Sequence, residues 1–506
     1  MKKSLFFPLA LILALASPLR AQDAGGDALF VITAFDLDVT GRTRPAALMR
    51  EGNLVVGQEL RGIDALDAYL RDRTQALTNL RTLRDTVRMS YAIGPARPDG
   101  SYPVTIVVRT EDSLNVIAFP VPEYSSHGGW GIDLRARDYN FLGSMRPLRV
   151  DLGYRSEQDG QSSFEALLDL SLPFDALGYR WGFRFENFLS YRPGLDEPFF
   201  FRNVTGLSLS LPAGFTTFTL GFHEAFVLNQ ENPSSRHDPH GRFQSGLYMA
   251  STIFASWSVP TGLRAGDYGE LAYAISPSAT FNHELSAASP VPDFRAGPFL
   301  GLSHSLGFGR TNWLGNFRQG FSFSLGNSFS HDVSRFDDRQ DPFRVSLSAV
   351  GSAHFVMNGF MGASLRLQYR HWFSSNGHGF HGNGADVLRG IKSDSFTVEH
   401  MLSLNTGFPV KAFSFLPSRW FNVNWMRVFD FEFHVSPFAD MAIYNDPSKG
   451  QNIAATGGLE FFVFPGIARA IYLRASFGVN ILKAISEKKI PDGDNREITI
   501  GLGHFF

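Results

Sequence analysis

Residues 497–506, EITIGLGHFF, end the chain on a strict alternation: Ile498, Ile500, Leu502, His504 and Phe506 share one face, and Gly501 and Gly503 take the other. A period of two is the signature of a strand with two different environments. The same alternation runs back through FEFHVSPFAD, MGASLRLQYR, FTTFTLGFHE, YRWGFRFENF, SFEALLDLSLPF, RPLRVDLGYR and GWGIDLRARD, as far as Ser113. Connections alternate between short, as in FLGSM and FDALG, and long and polar, as in VLNQENPSSRHDPHGRFQ. The chain is rich in Phe and Gly, 49 of each, and 14% aromatic, yet its mean hydropathy is only -0.08. Apolar residues in alternating segments, with averaged-out hydropathy, predict a transmembrane antiparallel β-barrel with short turns on one side and long loops on the other. At about 24 residues per strand and connection, residues 113–506 make sixteen strands; a segment-by-segment parse makes about eighteen. Sixteen is the preferred count.

The terminal residues MKKSLFFPLALILALASPLRAQ carry Lys2 and Lys3, an apolar run from Leu5 to Ala16 and small Ala21 before Gln22, which is the pattern of a secretory signal peptide spanning 1–21. Pro8 and the short run argue against a membrane anchor. Residues 27–112 have a different period. ALFVITAFDLDVTGRT reads as a strand, RPAALMREG as a short helix, and IDALDAYLRDRTQALTNLRTL as a longer one, with Ile63, Leu66, Leu70, Leu77, Leu80 and Leu83 on one side. TVRMSYAIG and YPVTIVVRTE follow as strands around the turn PARPDG. The expected order is strand, helix, helix, strand, strand, an α+β domain ahead of a barrel at 113–506.

Several functions are disfavoured. Zero cysteines removes a disulfide scaffold, a thiolate metal site and a lipidated cysteine. A net charge of -2 provides no attraction for nucleic acid. No G-x-S-x-G occurs, and nothing points to catalysis. His237 with His240, and His378 with His381, have an H-x-x-H spacing but lie in Gly- and Pro-rich loops without a helix to aim them, so no metal or other cofactor is implied.

A small domain of this order, a barrel, and a long loop carrying LRG together resemble the BamA and TamA superfamily of outer-membrane assembly and secretion proteins. The domain resembles a POTRA domain, through Val39, Gly41 and Thr43 at its first turn and Gly52 and Gly57 after its first helix. DYNFLGS, Asp138 to Ser144, resembles the Asn-x-Leu-Gly turn early in such barrels. Leu388, Arg389, Gly390 and Ile391 stand at the family's (V/I)-R-G-(F/Y) loop motif, with Ile391 in place of the aromatic residue and Leu388 of the β-branched one. Phe438 and Asp440 stand at its Phe-x-Asp-x-Gly strand motif, with Ala442 replacing the glycine. The terminal Phe506 resembles the assembly signal of outer-membrane proteins.

The resemblance implies that the loop folds into the lumen so that Arg389 meets Asp440, and that the barrel closes between its first and last strands. LNVIAFPVPEYSSHG carries Pro120 and Pro122 and reads either as that first strand, with a weakened seam against EITIGLGHFF, or as a rigid linker before the barrel. The function implied is insertion or translocation of exported unfolded polypeptides or nascent outer-membrane proteins. It would take place in the outer-membrane lipid of a bacterial cell, with the N-terminal domain in the periplasm beside accessory proteins. A passive pore or structural surface barrel of the same fold is the alternative.

Overall fold

The structure, a computed structural model, describes residues 28–502 except 126–128, 157–161, 194–198, 215, 230–243, 245, 265–268, 286–293, 334–342, 375–381, 385–386, 392–395 and 492. The signal-peptide pattern, both H-x-x-H pairs and Phe506 lie outside the described residues.

The N-terminal module has four strands, β1 (Leu29–Thr40), β2 (Glu59–Arg61), β3 (Arg88–Ile93) and β4 (Ser101–Glu111), in the order β2-β1-β4-β3. β1 and β4 run parallel, so the chain between them must cross over, and helices Pro45–Glu51 and Ile63–Asn79 lie in that crossover. Burial follows period: Phe30, Ile32, Val104, Ile106 and Val108 form the sheet's inner face, and Leu48, Leu66, Leu70 and Leu77 pack from the helices. Ile63 is exposed at the long helix's first turn, while Leu80 and Leu83 lie beyond its end, where the chain turns extended. β2, with three residues, is too short for periodicity to announce. Met145, from a barrel turn, packs into this core.

The large remaining sheet is antiparallel and closes on itself, and a small one pairs Gly382–Asn383 with Thr397–Val398. His400–Gly407 and Val410–Phe415 both pair with Phe431–Asp446 and both touch Met361–Ser374, so they are halves of one strand interrupted at Phe408 and Pro409. Counted so, the barrel has eighteen strands among the described residues, not the preferred sixteen. The reason lies in the turns at the module's end. The hairpins at Leu177–Gly178, Gly315–Asn316 and Gly359–Phe360 need only two residues each, and such short turns fit more strands into the same length.

Alternation sorts the wall chemically. Trp130, Ile132 and Leu134 face outward and are exposed, while Asp133 between them is buried inside. Inward positions of the early strands carry an ion-pair ladder: Arg135 to Asp133, Arg137 to Asp151, Arg149 to Asp169, and Glu186 between Arg184 and Arg202. An outward band of this kind is stable against lipid, where a charged residue at mid-depth would cost about 2–4 kcal/mol. No helix among the described residues is long and apolar enough to cross a membrane, which says nothing of crossing by strands.

Pro120 and Pro122 lie in the first barrel strand, Val116–Ser125, and not in a linker before it. That strand keeps an unbroken ladder with Gly129–Asp138, which two prolines permit when both ring nitrogens face the other way, toward the seam. Among the described residues the seam pairs Tyr124 with Ile500 and Ser125 with Thr499. Replacing Pro120 and Pro122 by Val restores two donors, each worth about 0.5–1.5 kcal/mol net. The double variant should unfold from its heat-resistant electrophoretic form at a higher temperature than the parent, and an unchanged transition would show that the prolines do not limit the seam.

Candidate functional site

Loop residues 387–391 lie inside the barrel against its later strands. The Arg389 side chain is 2% exposed and that of Asp440 is fully buried. The Arg389 backbone N–H and Nε donate to Asp440 Oδ2 at 3.1 and 2.9 Å, and Nη2 donates to Oδ1 at 2.5 Å. Nη1 donates to Glu460 Oε2 at 2.6 Å, and Nη2 also reaches the Thr406 carbonyl at 2.6 Å. The Phe438 ring lies 4.0 Å from the guanidinium carbon. Glu460 in turn accepts from Arg474 at 2.7 Å, so two arginines face two carboxylates and the cluster is neutral. Only a planar fork satisfies a carboxylate bidentately and an aromatic face at once.

The neighbours of Arg389 explain its motif. Gly390 has φ +86, and a Cβ there would stand 2.6 Å from the backbone of Gly478 and Val479. Gly478 has the same constraint in reverse, since its own Cβ would stand 2.7 Å from the Gly390 Cα. Two glycines therefore let loop and wall touch backbone to backbone. The Gly390 N–H points to Glu497 of the last strand at 3.3 Å, and Glu497 is the register partner of Gly478. Leu388 and Ile391 are buried with Val387, Val398, Met401, Ala442 and Ala454, which anchors both sides of the polar tip in apolar contact. Ala439 and Met441 face outward while Asp440 faces in, as alternation requires.

Sequence reading missed Glu460, Arg474, Glu497 and Gly478. A signal existed: Glu460, in GGLEFFVFP, has the parity of inward residues, and a strand glycine marks close backbone approach. Which strands come together could not be read from it.

A second constellation lies at the module's end of the barrel. Asn140, in the DYNFLGS turn, donates to Thr43 Oγ1 at 2.7 Å and to Asp112 at 3.1 Å, and the Arg44 N–H bonds the Gly143 carbonyl at 2.9 Å. Gly143 has φ +71, and a Cβ there would collide with the Arg42 carbonyl. Farther round the rim, Asp72 of the long helix pairs with Arg310 at 2.7 Å and Asn79 with Asn312 at 2.9 Å. Arg81 lies over the Trp313 ring at 4.2 Å. Burial first, then the nearby Arg469, lowers the pKa of Arg81 to about 10, so it stays cationic at neutral pH. The first attachment lies between the second and third strands and the other between the tenth and eleventh of eighteen, nearly opposite walls. The module therefore straddles the mouth of the barrel.

No protein-family model and no curated protein matches this chain. Among solved structures its fold is similar to BamA from Haemophilus ducreyi lacking POTRA domains 1–3, at 13% identity and TM-score 0.40, over 93% of this chain and 84% of that one. It is similar to CdiB from Acinetobacter baumannii at 12% identity and TM-score 0.48, over 94% and 74%. CdiB from Escherichia coli aligns at 11% identity and TM-score 0.41, over 97% and 93%. Among the described residues no group of three His, Asp or Glu side chains is placed to hold a metal.

Arg389→Ala strands Asp440, while Glu460 keeps Arg474, and Asp440→Ala leaves Arg389 with Glu460 and one uncompensated positive charge in the cluster; each should cost about 3–5 kcal/mol where the site is dry. The double variant should lose much less than the sum in heat-resistant folding. Additive losses would mean that the two side chains act independently.

Proposed function

We propose that this chain is a bacterial outer-membrane protein that takes up exported, unfolded polypeptide at a periplasmic POTRA-like module, residues 27–112, and inserts it into the membrane or passes it across. The seam is the observation that carries this reading. Among the described residues the seam joins Tyr124 with Ile500 and Ser125 with Thr499, and Pro120 and Pro122 leave the first strand without two donors on an edge. A barrel meant only to conduct has no use for one weak ladder; a barrel that exchanges strands with a client does.

The other parts fit the same work. β3 is an edge of the module's sheet, with main-chain groups that can accept an extended segment of almost any sequence. The module and the docked loop both obstruct straight passage through the lumen, which supports assembly or secretion over a standing pore. In this reading Leu388, Arg389, Gly390 and Ile391 lock the loop to Phe438 and Asp440, and Pro120 and Pro122 keep the seam open to exchange. No cofactor enters the proposal.

The test uses the absence of native cysteine. Tyr124→Cys with Ile500→Cys sets a disulfide across the register pair that closes the barrel. Oxidised cells should lose assembly or export of client outer-membrane proteins, and a reductant should restore it. Unchanged client levels with the seam locked, together with a stable open conductance in planar bilayers, would select the passive pore. A further outcome concerns the bridge across the mouth: Trp313→Ala removes the face on which Arg81 lies, a contact worth about 0.5–2 kcal/mol. That variant should pass more current than the parent in the same bilayers, and equal current would show that the module does not gate the lumen.

A further inference from the structure

Fifteen residues, 416–430, connect the fourteenth and fifteenth strands at the module's end of the barrel, where hairpins elsewhere use as few as two. Asn316, in the turn beside the module's far attachment, bonds Glu432 at 3.0 Å and so fixes this connection to the same rim. It is built inside out. Its polar residues Ser418 and Asp430 are buried and bonded, the Ser418 N–H donating to Asp430 Oδ1 at 3.0 Å and the hydroxyl to Oδ2, with the Gly466 N–H on the Asp430 carbonyl at 2.7 Å. Its large apolar residues face out: Trp420, Phe421, Trp425, Val428 and Phe429 are all more than half exposed, Trp425 at 70%. Arg419 and Arg427 lie exposed among them.

An outward aromatic cluster of this size is unfavourable in water, because each such ring buries about 150–250 Å² when covered. The surface beside it says what covers it. Phe415 meets Trp420 at 5.0 Å and Phe431 at 5.3 Å, Phe413 meets Phe433 at 5.3 Å, and Phe433 meets Phe461 at 6.2 Å. The rings run without a break from the outward face of the wall onto the connection. Asp430, which pins Ser418 from the far end, sets both short helical turns of the connection to continue that face.

We propose that residues 416–430 form an interfacial foot lying in the phospholipid leaflet on the module's side of the membrane. Acyl chains cover Trp420, Phe421, Trp425 and Phe429, and lipid phosphates take Arg419 and Arg427. Trp and Tyr favour this depth because the ring is apolar and its polar edge stays wet, and arginine snorkels to the same level. The foot fastens one sector of the rim at a set height, next to the strands that hold the Arg389 site. It rests on the membrane reading of the barrel.

A single cysteine in this cysteine-free chain can carry an environment-sensitive fluorophore in the full protein, folded into phosphatidylethanolamine–phosphatidylglycerol vesicles. Phe421→Cys and Trp425→Cys report the foot, so that one reads if the other fails to fold. Phe222→Cys reports the outward wall and Arg97→Cys an exposed turn of the module. Foot labels should lose fluorescence most to a nitroxide near the lipid headgroup, the wall label most to one near the chain end, and the module label only to aqueous iodide. Foot labels quenched by iodide like Arg97→Cys, while the wall label answers to lipid, would overturn the foot and leave the barrel in the membrane. Protection from iodide that appears only on adding periplasmic extract would assign the surface to a protein partner and overturn it too. A wall label indifferent to lipid quenchers would defeat the membrane reading itself.

Discussion

The fork of Arg389 between Asp440 and Glu460 is the interaction on which the interior depends. A guanidinium at 2% exposure is tolerable only if its charge is matched and its donors are used, and here two carboxylates, a carbonyl and an aromatic face do this together. None of these partners is adjacent in the chain. Thr406, Asp440, Glu460 and Arg474 come from four successive strands, so the site exists only when those strands are in register. The loop and the later half of the barrel are thus one structure. A slip of one residue in the strand of Asp440, Glu460 or Arg474 would turn that charge to the outward face, where lipid penalises it.

The same region reaches the closure of the barrel. Gly390 touches Gly478, and its N–H faces Glu497, which lies two residues before the first seam pair at Thr499. Loop docking and the alignment of the last strand therefore bear on the same few residues. At the opposite end, Asn140 and Met145 tie the second hairpin to the module, while Arg310, Asn312 and Trp313 hold it from across the mouth. The barrel thus has firm attachments to both the loop and the module, and a first strand in which Pro120 and Pro122 supply no donors.

Period in the chain revealed the class of fold. Alternation from Ser113 onward marked the barrel wall and told inward from outward at Asp440, and the helical period of Leu66, Leu70 and Leu77 marked the module's core. These features are local: a period depends only on which of two environments each residue meets. Strand number was less legible, because two-residue hairpins and the break at Phe408 and Pro409 alter the spacing without altering the pattern.

LRG and Asp440 were legible as parts of a motif, through resemblance, and the prolines through their missing donors. Glu460, Arg474, Gly478 and Glu497 were not, nor was the straddling of the mouth. Each of these depends on which strands become neighbours, how far they shear and where the chain closes on itself, and no short window of sequence carries that information. By itself the sequence determined the periods, the facing of each residue and the weakness built into the first strand. Only the tertiary structure decided that a buried arginine finds two carboxylates, and that a module joined at one wall is also held at the other, because both require residues far apart in the chain to arrive within bonding distance.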